Sequence, residues 1–189
     1  MDFMIINNLN QQERLNNLVK DNNYKYWLGG FTEGEGALVV SIVKNVKVSH
    51  GIRLQPEFNV VQHENGISIL HSFKILFNNH GSVYKKSGSD NVWVYSLKGT
   101  QNIKNFVLPF FAKYVVEYSS KYRSNLFKEY CNIINKLDVN RNKAFEKDEL
   151  IELIKLVYTL NPDGKGKLRK RTLDEVINII NEHSNVDIK

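Results

Sequence analysis

The spacing of apolar positions along the chain changes period, and the changes outline its elements. From Tyr24, Trp27, Leu28 and Phe31 recur at helical spacing, and Gly34 and Gly36 mark a stop. The β-branched run ALVVSIVKNVKV follows; beyond a turn near His50 and Gly51, IRLQPEFNVVQ keeps Leu54, Phe58 and Val60 on one parity. These two segments predict a long antiparallel hairpin. Helical period returns over 65–78, with Ile69, Leu70, Phe73, Leu76 and Phe77 on one stripe, before GSVYKK and NVWVYSL flank the turn SGSD. The remainder reads as helical: Leu126, Tyr130, Ile133, Ile134 and Leu137 form one stripe, and Leu150, Leu153, Ile154 and Val157 the next. Past Pro162 and Gly164, the capping box TLDE starts a last helix through Val176, Ile177 and Ile180, with Thr172 accepting from the Glu175 N–H.

The predicted class is α+β, in the order αββαββ with further helices after it. Residues 1–23 read as an N-terminal extension able to form a short helix, and 24–189 as a single domain. The strands supply only one good apolar face, so the helices must cover one side of the sheet. By parity the other side carries Val39, Ser41, Val43, Asn45 and Lys47, then Arg53, Gln55, Glu57 and Asn59, with Tyr84 and Lys86 from the second hairpin. A two-stranded ribbon fits the DNA major groove, where Asn and Gln pair with adenine and Arg or Lys with guanine. The composition of this face suits that use.

Charge points the same way. The chain has 26 Lys plus Arg against 20 Asp plus Glu, a net +6 that favours a polyanionic partner. The single cysteine, Cys131, excludes a disulfide scaffold and a zinc finger. No apolar run approaches the ~20 residues that span a bilayer, and no signal peptide is evident, so no membrane role is expected. The 24 Asn and 20 Lys against 6 Arg reflect AT-rich coding, as in an organelle genome, and the lack of a transit-type leader fits synthesis inside one.

Two features of the first strong helix demand compensation. Adjacent glycines Gly29 and Gly30 each cost about 1 kcal/mol relative to alanine, and close approach of another helix is the usual compensation. With one such helix per chain, the expected partner is the same helix of a second copy, a two-fold dimer. Below it, Glu33 and Glu35 oppose the negative end of the helix dipole, which favours a nearby cation. A divalent metal held by carboxylate, backbone carbonyl, water and phosphate oxygens suits that place, Mg²⁺ above all.

The segment WLGGFTEGEG resembles the LAGLIDADG motif of the homing endonucleases, with Leu28, Gly29, Gly30, Phe31, Glu33, Gly34, Glu35 and Gly36 at matching places. The element order matches that family's αββαββα core with its four-stranded antiparallel saddle sheet, and the resemblance extends over about 24–183. PEFNVVQHENGISIL, KKSGS and PFFAKYVVEYSS look closest to the single-motif, homodimeric branch of algal organelle ribosomal-RNA introns. The resemblance implies a homodimeric endonuclease that cuts a long pseudo-palindromic double-stranded DNA target, leaves 3′ overhangs and serves intron mobility from within an organelle. It implies Glu35 and the Gly34 carbonyl as metal ligands for Mg²⁺, with Mn²⁺ able to substitute, and Gln62 as the side chain that holds the attacking water. Lys121 and Arg123 are the candidate basic residues near the scissile phosphate, Lys121 the first choice; Gly66 stands where the family often has arginine. Trp27, Gly29, Gly30 and Glu33 are implied at the dimer interface. Lys167, Arg169, Lys170 and Arg171, before the last helix, resemble the family's phosphate-contacting loop.

Two alternatives stand beside this reading. The same fold serves as an RNA maturase, with host intron RNA as partner. Separately, DVNRNKAFEKDE, 138–149, fits the EF-hand template at Asp138, Asn140, Asn142 and Glu149, although Lys143 replaces the turn glycine.

Overall fold

A computed structural model describes residues 2–160 and 170–184, with side chains for 10–160 and 170–183. The helix predicted from Tyr24 is α2, Asn22–Glu35, whose N-cap Asp21 accepts from the Asn23 N–H. It runs through Gly34 instead of stopping there, and β1, Gly36–Lys44, begins at once. The strand β2, Ile52–His63, pairs antiparallel with β1 from Gly36↔Val60 to Lys44↔Ile52. After α3, Ile67–Leu76, the strands β3, Ser82–Lys85, and β4, Val92–Lys98, complete one antiparallel sheet in the order β1-β2-β4-β3. Helices follow: the single turn α4, Thr100–Asn102; α5, Leu108–Tyr114; α6, Lys121–Val139; α7, Lys147–Thr159; and α8, Leu173–Ser184. The α+β class and the order of the core are as the pattern predicts.

The extension is more than predicted: Asp2–Leu18 form a helix, α1, which packs on α3, with Leu15 and Val19 buried. The expected boundary after residue 23 falls inside α2.

Strand parity assigns the two sheet faces as expected. Leu38, Val40, Phe58, Val60, Tyr95 and Leu97 are buried under the helices. Phe58 sits at the centre, edge-on to Phe73, Phe77, Tyr95 and Phe111 at 5.5–6.4 Å. Tyr130 of α6 reaches down to donate to the Glu57 carbonyl at 3.1 Å, fixing α6 against the strand whose far side bears the polar row. A second, smaller cluster of Ile52, Leu150, Ile154, Val176 and Ile180 ties α7 and α8 to the end of the hairpin. The predicted capping box is present and reciprocal: Thr172 Oγ1 accepts from the Glu175 N–H at 3.2 Å, and Glu175 Oε2 from the Thr172 N–H at 2.7 Å. Among the described residues no helix is long and apolar enough to cross a membrane.

Candidate active site and nucleic-acid interface

The site begins where α2 meets β1. Arg123, in the first turn of α6, inserts its guanidinium at the end of α2: Nε faces Glu33 Oε2 at 3.2 Å, and Nη2 donates to the carbonyls of Thr32, Glu33 and Gly36 at 3.2, 2.6 and 3.0 Å. Glu33 Oε1 accepts from the N–H and hydroxyl of Ser120, the N-cap of α6, both at 3.3 Å. The charge conflict expected at this helix end is therefore resolved for Glu33 by a cation of the same chain. It is not resolved for Glu35. That carboxylate is exposed and has no hydrogen-bond or ion-pair partner among the described residues, with exposed Gly34 beside it.

Glu35 and Gly34 open into a cleft of about 650 Å³ along the edge strand β1, where Ser41, Lys86, Lys170 and Arg171 join them in the lining beside Tyr158 of α7 and Val176 of α8. Thus an unpaired acid shares one hollow with three cations from distant parts of the chain. The donor set fits a hard divalent ion of the Mg²⁺ type, which takes one or two carboxylates and completes its shell with water and substrate phosphate. No three His, Cys, Asp or Glu side chains converge among the described residues, so this chain provides an open half-site and no closed cage.

The other implied residues fall around this centre unevenly. The β1–β2 register places Gln62 two residues beyond the partner of Gly36, level with the end of α2. Its Oε1 accepts from the neighbouring His63 N–H at 2.7 Å, and its Cγ lies 2.7 Å from where a Cβ on residue 66 would stand. A side chain at position 66 would therefore have to displace the Gln62 side chain from where it stands. Lys121 is exposed at the start of α6, one residue after the Ser120 that holds Glu33, and does not line the cleft. Lys167 and Arg169 lie outside the described residues.

On the uncovered face Arg53, Gln55, Glu57 and Asn59 follow one another as parity requires, but they are partly tied together. Arg53 Nη2 donates to Gln55 Oε1 at 3.1 Å, Gln55 Nε2 to Glu57 Oε1 at 3.4 Å, and Lys98 Nζ faces Glu57 Oε2 at 3.5 Å. Glu57 is mostly buried, so it organises its neighbours more than it offers itself outward. In the register Glu57 stands between Val39 and Lys98, while Ser41 pairs with Gln55 and Asn59 with Ser96. Asn59 Oδ1 and Ser96 Oγ are buried without a hydrogen-bond partner among the described residues. Tyr84 is exposed on β3. Two expectations need correction: Asn45 and Lys47 are not on the strand, because β1 ends at Lys44. Asn45 Oδ1 accepts from the Lys47 N–H at 3.0 Å, an Asx turn that spends the side chain on the backbone.

The glycine pair also divides. A Cβ on Gly29 would stand 2.0 Å from the Tyr114 carbonyl oxygen, so the close neighbour of Gly29 is the end of α5 in the same chain, not a second copy. Gly30 has nothing within 4 Å of a Cβ and lies exposed. With Trp27, half exposed and stacked on Tyr24 and Phe31, and with Gly34, it makes an uncovered stripe at helical spacing. Glu33 flanks this stripe in a hollow of about 310 Å³ shared with Gly30, Tyr26 and Tyr118.

The calcium-loop alternative is overturned by how its ligands are used. Asp138 is bound by Lys104 and Gln101, and the hydrogen bond from the Lys104 ammonium draws its carboxyl below the ordinary carboxylate range. Glu149 Oε1 accepts from Asn140 Nδ2 at 3.1 Å, inside the turn between α6 and α7.

A family model described as LAGLIDADG endonuclease matches residues 28–134. DNA endonuclease I-CeuI of Chlamydomonas moewusii is 38% identical over 96 residues, 51% of this chain and 44% of that protein. The chain spans less than half the length of this and of a second curated relative, a probable intron-encoded endonuclease 2 of Neurospora crassa, 25% identical over 152 residues and 32% covered. Among solved structures, the archaeal intron-encoded homing endonuclease I-Vdi141I complexed with DNA is 26% identical with a TM-score of 0.73, covering 87% of this chain and 99% of that one. The I-CeuI complex with DNA shares the fold at a TM-score of 0.73 and 22% identity, covering 94% of this chain and 89% of that one.

Proposed function

The chain belongs to the LAGLIDADG endonuclease family, and from this premise we propose that it is a site-specific homing endonuclease acting as a homodimer on double-stranded DNA. Its target is long and pseudo-palindromic, each copy cutting one strand to leave 3′ overhangs, in the service of intron mobility in an organelle. The observation that carries this reading is Glu35: an unpaired acid at the end of α2, in a cleft with Lys86, Lys170 and Arg171, while Arg123 neutralises Glu33.

Each residue then has a task. Glu35 and the Gly34 carbonyl hold a divalent ion, Mg²⁺ or Mn²⁺. When bound, that ion orients a water for attack on phosphorus and stabilises the leaving oxygen. Gln62, released from the His63 N–H, orients the water, and Lys121 adds positive charge toward the scissile phosphate. Lys86, Lys170 and Arg171 hold flanking phosphates, which positions the duplex without reading it. Ser41, Arg53, Gln55, Asn59 and Tyr84 face the base edges along the sheet. The exposed stripe of Trp27, Gly30 and Gly34 meets its copy across a two-fold axis.

The deciding experiment is Glu35→Gln assayed in Mg²⁺ on the selected target. Cleavage should disappear while duplex binding stays within a few-fold of wild type. A variant that cuts at the normal rate removes Glu35 from the chemistry, and preference for intron RNA over duplex favours the maturase alternative.

A further inference from the structure

The discarded calcium loop lies beside a second cleft, of about 490 Å³, between the turn of the first hairpin and the α6–α7 connection. Four cations line it: Lys47 and Arg53 from the hairpin, Arg141 and Lys143 from the connection. None of its lining residues is acidic. The nearby acids are hydrogen-bonded elsewhere, Asp138 by Lys104 and Gln101 and Glu149 by Asn140, so that Arg141 has only a weaker Coulombic attraction to Asp138. Glu146 is exposed at the start of α7 and does not line the cleft.

The connection is held in shape. The Arg141 N–H donates to the Asp138 carbonyl at 3.2 Å and the Lys143 N–H to the Asn140 carbonyl at 3.3 Å. From the hairpin side a His50 ring nitrogen meets the Phe145 carbonyl at 2.8 Å. The Arg141 and Lys143 side chains are exposed and make no hydrogen bond or ion pair among the described residues. Two loops distant in sequence are thus joined, with four positive charges left around one hollow.

We infer that this second cleft binds a backbone phosphate of duplex DNA at the outer end of each half-site, through Arg141 and Lys143 together with Lys47 and Arg53. The inference rests on the nuclease reading and extends it to a surface apart from the cleavage centre. Arg53 connects the two, since it stands both in this cleft and at the end of the polar row on β2. The nine residues of β1 set the distance. At about 3.3 Å per residue the cleft stands about 26 Å from the end of α2, or roughly eight base pairs at about 3.4 Å each.

The test uses a duplex that the full chain selects from a randomised pool, in two lengths, about 12 and about 24 base pairs centred on the cut. The double variant Arg141→Gln with Lys143→Gln should bind the longer duplex roughly tenfold more weakly, and its log–log salt slope should fall by about 1.8, the release expected for two phosphate contacts. On the shorter duplex it should match wild type. Arg141→Lys with Lys143→Arg should restore the longer-duplex affinity. Equal affinity of wild type and double variant on both lengths, or an equal loss on both, overturns the inference while leaving the nuclease reading in place. If the wild-type chain enriches no duplex at all, the nuclease reading falls and this inference with it.

Discussion

At the scale of single residues, two glutamates separated by one glycine have opposite fates because of an arginine 90 residues away. Arg123 is mostly buried and serves Glu33 and three carbonyls at once, so its loss leaves an acid and a helix end without their donor. Arg123→Ala should lower unfolding free energy by about 2–4 kcal/mol, the range for breaking a buried charge contact, and a urea titration measures it. Arg123→Lys should recover only part, since one ammonium cannot match the planar fork. A neutral outcome for Arg123→Ala means the helix end is satisfied without it. Sequence alone marks both acids as misplaced at a helix terminus but does not tell which is already paid for. The same limit applies at Gly66, where the absent arginine reads as a loss until Gln62 is seen to lie over the glycine. Asn45 shows it again: alternation continues on paper past Lys44, whereas an Asx turn ends the strand.

At the scale of elements, periodicity was legible wherever one face is buried. The stripes predicted on α3, α6 and α7 are core residues, with Leu70, Phe73 and Phe77, then Leu126 through Leu137, then Leu150 through Val157 under cover. The α1 helix was weakly legible because its Asn- and Gln-rich run gives little amphipathic signal. The glycine pair shows what patterning omits: it predicts a close approach but does not say to what. Gly29 is notched for α5 and Gly30 is open, which separates monomer packing from assembly. Gly29→Ala should destabilise the monomer, since its methyl meets backbone at 2.0 Å that cannot swing aside. Gly30→Ala should stabilise the isolated subunit by up to about 1 kcal/mol through helix propensity. If two α2 helices meet at Gly30, the same methyl should nonetheless dissociate the dimer. Thermal melts read the first effect and sedimentation the second; a Gly30→Ala protein that is both more stable and fully dimeric removes α2 from the interface.

At the scale of the whole molecule, the assembly proposed from α2 makes a demand on the DNA that no single subunit makes. Each copy carries one polar sheet face, whose β1 strand reaches about 26 Å outward from the end of α2. The smaller cluster around Ile52, Ile154 and Val176 ties the outer end of the hairpin to α7 and α8, so the face resists splaying away from the duplex. In the proposed dimer, two such arms joined at α2 would fix the separation and phase of the two half-sites, as a two-fold reader must. Inserting about five base pairs at the centre of the target rotates one half-site by about half a helical turn, to the far side of the duplex. A rigid dimer then engages one half only, and affinity should fall by roughly 100-fold or more toward the non-specific level, with double-strand cleavage lost. Inserting about ten base pairs restores the phase but doubles the spacing needed, so it should not rescue cutting. Gel-shift titration and a cleavage assay on the three duplexes measure both effects. Unchanged cleavage of the five-base-pair insert means that the two catalytic centres are not held at one seam, and the α2-mediated dimer would have to be given up.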